Sequence, residues 1–210
     1  EEFTLPPLRH AGPEVQLPEI DVLEVTPEME AFLERYILKY PNSNTKLHLL
    51  SNSLSGSGVL GFEYDDARTL TSAEAFASRS GNCLGFSNMM VALAREAGLE
   101  ASYQEIIRRP VWSSRADTVL LLKHVNVVIS GRNFDYVMDI SNLRVNQMTQ
   151  RRLVDDNYAK ALYLNNLGAE ALFRNDLPTA YAYMKAAIET DPEMTDAWVN
   201  MGVVLGRNEQ

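Results

Sequence analysis

Three residues combine types and contexts suited to nucleophilic chemistry: Cys83, His124 and Asp139. Cys83 is the single cysteine of the chain. No disulfide can form within the molecule, so the thiol serves packing, an intermolecular link or chemistry. It follows the break Ser80-Gly81-Asn82 and opens an apolar run that closes at Gly98. A cysteine in the first turn of a helix sits among unpaired backbone N–H groups at the positive end of the helix dipole, where a thiolate is stabilised. Gly81 lets the chain turn tightly into the helix, leaving the Cys83 amide to point at a tetrahedral oxyanion. The plainer alternative is a buried packing cysteine.

His124 opens the alternating run His124-Val125-Asn126-Val127-Val128-Ile129, and Asp139 closes Tyr136-Val137-Met138. Imidazole is the side chain whose ordinary pKa, about 6.5, suits proton exchange with a thiol at neutral pH. A core histidine bonded to a backbone carbonyl is the alternative. If the turn between the two runs centres on Gly131-Arg132, residues 124 and 139 are cross-strand partners. Their Cβ atoms would then lie about 5 Å apart, and the carboxylate could fix the imidazole tautomer.

The elements that must hold these residues are legible in outline. Thr26-Pro27-Glu28-Met29 opens a helix through about Lys39, with Thr26 as cap. Thr71-Ser72-Ala73-Glu74 has the form of a capping box. Residues 83–97 then form a core helix with Leu84, Phe86, Met89, Met90, Leu93, Ala94 and Ala97 on its apolar face. Beyond Gly98 the period changes to two, which predicts strands over 100–107, 120–129 and 134–140, the last two forming a hairpin. The order fits an α+β domain, a helix packed on an antiparallel sheet, over residues 28–150. Five prolines within residues 1–27 predict an extended N-terminal arm laid along the folded body.

From Asn157 the period returns to 3.6. Gly168 and Gly202 stand 34 residues apart, Leu164 aligns with Trp198, and Leu167 with Met201. Ala180, Met184, Ala187 and Pro192 fall where a returning helix and its end should be. This pattern over 157–210 resembles the tetratricopeptide repeat, one full repeat and the first helix of another, and implies a surface for a protein partner. A chain ending mid-repeat leads one to expect more repeats beyond it.

Arg79-Ser80-Gly81-Asn82-Cys83-Leu84-Gly85-Phe86-Ser87-Asn88, followed by Leu93-Ala94-Arg95-Glu96-Ala97-Gly98-Leu99-Glu100-Ala101, resembles the nucleophile region of the transglutaminase-like superfamily. His124-Val125-Asn126-Val127-Val128 is similar to its histidine strand, and Tyr136-Val137-Met138-Asp139 to its aspartate strand. The resemblance implies a papain-like core, with Cys83 as nucleophile, His124 as general base and then acid, and Asp139 orienting the histidine. It further implies attack on an amide carbonyl of a protein or peptide in the cleft and passage through a thioester. Peptidase, deamidase and transglutaminase outcomes all stay open, as does a catalytically idle peptide-binding scaffold. The sequence departs from the family in having no recognisable Trp near these strands to bind the oxyanion. Asn82, Gln104 and Tyr64 are the substitutes.

Composition narrows the field. A net charge of −9 and the absence of a dense Lys/Arg block argue against nucleic acid as partner. No apolar run approaches the length of a membrane span. The histidines, His10, His48 and His124, form no metal-ligand motif, so neither metal nor cofactor is expected. Ser55-Gly56-Ser57-Gly58 reads as a linker, Asp65-Asp66 as solvated charge, and Trp112 as part of a 108–119 connection that could overhang a cleft. The chain begins at Glu1 rather than Met, which reads as a trimmed or cut product. An acidic domain joined to repeats suits a bacterial envelope or periplasmic protein.

Overall fold

The structure, a computed structural model, describes residues 5–9, 15–54, 58–66, 68–107, 112–115, 118–121, 123–131, 134–140 and 150–209. Two compact units divide the chain. One comprises Asp21–Arg109 and Lys123–Asp155; the other Glu1–Ile20, Pro110–Leu122 and Asp156–Gln210.

In the first unit, helix α1 (Pro27–Tyr36) starts where Thr26 caps it, the hydroxyl accepting from the Met29 N–H, and buries Met29, Phe32 and Leu33. Helix α2 (Ser43–Leu54) occupies a stretch that the Asn- and Ser-rich sequence leaves without a regular element. Asn42 caps it through a hydrogen bond from the Thr45 N–H, and Leu47, Leu50 and Leu54 form its buried stripe. Strand β1 (Glu63–Tyr64) precedes α3 (Ser72–Ser78), whose start is the predicted capping box of Thr71 and Glu74. Strand β2 (Ser80–Gly81) pairs in parallel with β1, setting Tyr64 beside Gly81.

Helix α4 (Cys83–Glu96) follows at once. It is buried from Leu84 through Ala94, on every side rather than along one stripe, as befits the centre of a core. Its buried polar groups are paired: Asn88 Nδ2 donates to the Leu70 carbonyl, and the Tyr103 hydroxyl donates to Asn88 Oδ1 at 2.9 Å. Gly98, at φ +76°, turns the chain out of the helix into strand β3 (Ala101–Ile107).

The expected strand over 120–129 is two strands with different partners. Strand β4 (Trp112–Arg115) forms an antiparallel hairpin with β5 (Thr118–Leu121) in the other unit. Strand β6 (His124–Ile129) instead joins β3 and β7 (Tyr136–Met138). A further strand, β8 (Gln150–Val154), completes a four-stranded sheet in the order β7-β6-β3-β8 and carries it past residue 150. Every residue of β6 is buried, with a strand on either side of it and α4 packed against it.

The β6–β7 register also differs from the expectation. Val127 pairs with Met138, Val128 with Val137 and Ile129 with Tyr136. Continued by one step, this brings Asn126 rather than His124 to the level of Asp139. The connection is longer than a tight turn centred on Gly131-Arg132. A Cβ on Gly131 would lie 2.3 Å from the Phe134 carbonyl oxygen, so the backbone folds back closely there. The shift is two residues, an even number, and therefore keeps Asp139 on the same face as His124.

In the second unit, α5 (Asp156–Phe173), α6 (Leu177–Thr190) and α7 (Thr195–Asn208) are joined by short connections, and each packs on its neighbour in sequence. Gly168 lies at a close approach of α5 to α6: a Cβ there would lie 2.7 Å from Met184 Cε. Asn200 Nδ2 donates to Asn165 Oδ1, and Arg207 donates to the Leu172 carbonyl, tying α7 to α5. In the same unit the N-terminal segment lies along these helices. The Tyr181 hydroxyl donates to the Pro6 carbonyl, and Leu8 is buried. Among the described residues no helix is long and apolar enough to cross a membrane.

Candidate active site

The site is assembled where α4 begins and β6 begins. Asn82 caps α4, its Oδ1 accepting from the Gly85 N–H at 2.9 Å, and Cys83 occupies the first helical position. The Cys83 side chain is half-buried, with Sγ 4.0 Å from the Lys123 carbonyl oxygen, one residue before His124. His124 is buried. Its Nε2 stands 2.6 Å from Asp139 Oδ2, and Cys83 lies close enough to the ring to raise its pKa. With Nε2 committed to the carboxylate, Nδ1 is the nitrogen left for the sulfur.

Two opposed effects set the charge of His124. Burial alone disfavours the imidazolium and lowers the pKa. The hydrogen bond that the ring donates to Asp139, and then the influence of Cys83, outweigh it and raise the pKa from 6.5 to about 9. At neutral pH the ring is therefore cationic, held between a carboxylate and a sulfur.

The three other residues singled out from sequence lie in different places. Tyr64, beside Gly81 in the β1–β2 pair, is 53% exposed, yet the charges of Cys83 and Asp139 both reach it. Burial of part of the ring raises its pKa first, followed by those charges and that of Asp66. The Asn82 carboxamide oxygen is engaged in capping α4. Gln104 lies on β3 opposite Asn126, and its Oε1 is buried without a partner.

The model of the transglutaminase-like superfamily matches the chain over residues 46–130. The matched stretch contains Cys83 and His124 and ends before Asp139 and before the C-terminal helices. This match, with a mixed α/β unit built on an antiparallel sheet, supports a papain-like cysteine-enzyme fold for the transglutaminase-like region. Comparison with curated proteins returned no match, and neither did comparison with solved structures.

Two features near this site escaped the sequence reading. Asn126, two residues beyond His124, donates from Nδ2 to the same Asp139 oxygen at 3.3 Å. Glu105, buried on β3, pairs with Lys123 at 3.4 Å and with Arg152 of β8 at 2.6 Å. Its signal was present: Ala101, Tyr103 and Glu105 share one face of a strand, and a carboxylate in that series requires a cation. Among the described residues no group of His, Cys, Asp and Glu is placed to hold a metal ion. Trp112 belongs to strand β4, and Ser55, Gly56 and Ser57 lie outside the described residues.

Proposed function

We propose that this protein is a thiol enzyme acting on the amides of proteins or peptides, by hydrolysis or by acyl transfer, with Cys83 as nucleophile, His124 as base and acid, and Asp139 as the group that orients the ring. The observation that carries this reading is the convergence of Cys83, at the first turn of a helix and 4.0 Å from the Lys123 carbonyl, on a His124 ring that Asp139 holds at 2.6 Å.

In the reacting form the proton rests on His124 and Cys83 Sγ is the thiolate. The thiolate attacks the amide carbonyl carbon, and the C=O electron pair moves onto oxygen. That oxyanion forms beside the Cys83 N–H, which has no partner within the helix at this position. Tyr64 is the side chain we assign as second donor: its phenol is exposed, and it is electrostatically close to the sulfur, whereas Asn82 is spent on the helix cap. Collapse of the oxyanion breaks the C–N bond, and the leaving amine or ammonia takes the proton from His124. The acyl group remains on sulfur as a thioester. Water, or a second amine, then attacks the thioester carbonyl as its proton passes to His124, and the C–S bond breaks, releasing the acyl group and restoring the Cys83–His124 pair.

The C-terminal helices we assign to a tetratricopeptide-type unit that recruits a protein partner. The support is their repeated spacing and the glycine-mediated approach of α5 to α6. The acidic balance of the chain disfavours nucleic acid in that role.

The test is chemical. Glutamine- and asparagine-containing peptides are incubated with the protein and with Cys83→Ser, with and without a primary amine, and followed by mass spectrometry. Enzyme-dependent cleavage, deamidation or amine incorporation is expected, with an acyl adduct on Cys83 trapped at low pH. Absence of every product, together with peptide binding, would leave the idle peptide-binding scaffold as the function.

A further inference from the structure

We propose that Asn126 is a positioning residue, which holds the Asp139 carboxylate in the orientation His124 requires, and that Gln104 steadies Asn126 from the neighbouring strand. The inference rests on the triad assignment made above.

Asn126 is only 2% exposed and lies on the same face of β6 as His124. Its Nδ2 donates to Asp139 Oδ2 at 3.3 Å, and His124 bonds that same oxygen at 2.6 Å. Two donors spaced two residues apart on one strand converge on Asp139 Oδ2, which restricts rotation of the carboxylate about its Cβ–Cγ bond.

The proximity of the carboxylate also fixes the Asn126 amide. Turned the other way, its oxygen would face Asp139 and repel it. Asn126 Oδ1 must therefore point away, where it is buried without a partner. Directly across the β3–β6 pair stands Gln104, whose Oε1 is likewise buried without a partner. Two acceptors cannot satisfy each other. Cross-strand residues have Cβ atoms about 4.5–5.5 Å apart, so turning the Gln104 amide presents Nε2–H to Asn126 Oδ1. A buried acceptor without a donor is rare, and this rotation supplies one from the same two residues. The result is a relay from Gln104 through Asn126, Asp139 and His124 to Cys83, only the last three members of which take part in the chemistry.

The full chain is used for the test, with the rate of Cys83 alkylation by iodoacetamide against pH and the NMR titration of the His124 ring as readouts. Asn126→Leu is expected to slow alkylation at neutral pH about tenfold and to move the His124 titration down toward its ordinary value. In an Asp139→Asn background the same substitution should add nothing, because it acts through that carboxylate. Gln104→Leu should give a smaller loss in the same direction, which disappears once Asn126 is replaced. Asn126→Ser, less demanding of the core, gives the same reading if the leucine variant does not fold. An unchanged His124 titration in the Asn126 variants, or a loss that is additive with Asp139→Asn, would overturn the assignment. A wild-type alkylation rate that does not depend on His124 would instead overturn the triad on which it rests.

Discussion

His124 Nε2 lies 2.6 Å from Asp139 Oδ2, although the β6–β7 register sets Asn126, not His124, at the level of that aspartate. The contact is thus diagonal across the hairpin, and it survives because diagonal neighbours on one face stay within reach of long side chains. Replacing Asp139 by Asn removes the charge that holds the imidazolium against the pull of burial. The His124 pKa should then fall from about 9 to the ordinary histidine value or below it. Alkylation of Cys83 at neutral pH should slow by about tenfold or more, since the ring also loses the partner that sets its tautomer. An NMR titration and a rate measurement on the same sample check both.

The raised His124 pKa carries a consequence for stability. In the unfolded chain the ring titrates near 6.5, and in the folded protein near 9. The folded state therefore holds the proton more tightly. Its stabilising contribution is complete below about pH 6.5 and is lost as pH rises through about 9. Urea midpoints measured across that window should decline toward high pH, and His124→Gln should flatten this part of the dependence.

Tyr64→Phe tests the second oxyanion donor. The ring keeps its place beside Gly81, and only the hydroxyl goes. Loss of one such donor lowers kcat by about a hundredfold in other acyl-transfer enzymes, and a fall of that order with little change in KM is expected on any peptide amide the protein turns over. An unchanged kcat would assign the role to another group.

The C-terminal helices give a prediction of opposite sign at two glycines that share a place in the repeat. A side chain at Gly168 meets Met184 and Tyr183 across the α5–α6 contact, whereas one at Gly202 meets nothing within 4 Å. Gly168→Leu should destabilise this unit by about 1–3 kcal/mol through overpacking. Gly202→Ala should stabilise it by up to about 1 kcal/mol through helix propensity. Thermal unfolding of the two variants measures the contrast.

What could be read from the sequence follows from how local each signal is. Helices α3 and α4 were legible because their starts are written in adjacent residues, Thr71 with Glu74 and Asn82 with Cys83. Helix α2 was obscured by its Asn and Ser content, although Leu47, Leu50 and Leu54 carry its period. The strand boundary near Lys123 could not be seen, because β5 and β6 differ in their hydrogen-bonding partners and not in composition. Strand β8, nearly all exposed, has no alternation to betray it. Cys83, His124, Asp139 and Tyr64 are close in space; Cys83 was legible from its place at a helix start, His124 and Asp139 from paired strand runs, and Tyr64 only as a substitute oxyanion donor. Asn126 was visible as a polar residue on the His124 face, but its bond to Asp139 depends on a register that no local pattern sets.

The central claim is that the His124 ring, held by Asp139, activates the Cys83 sulfur as a nucleophile. Its most direct measurement is the rate of Cys83 alkylation by iodoacetamide as a function of pH, in the folded protein and in His124→Ala. The account predicts alkylation of folded Cys83 at neutral pH that depends on His124 and is lost in the variant. Equal rates in the two proteins, or a sulfur that reacts only on unfolding, would contradict it.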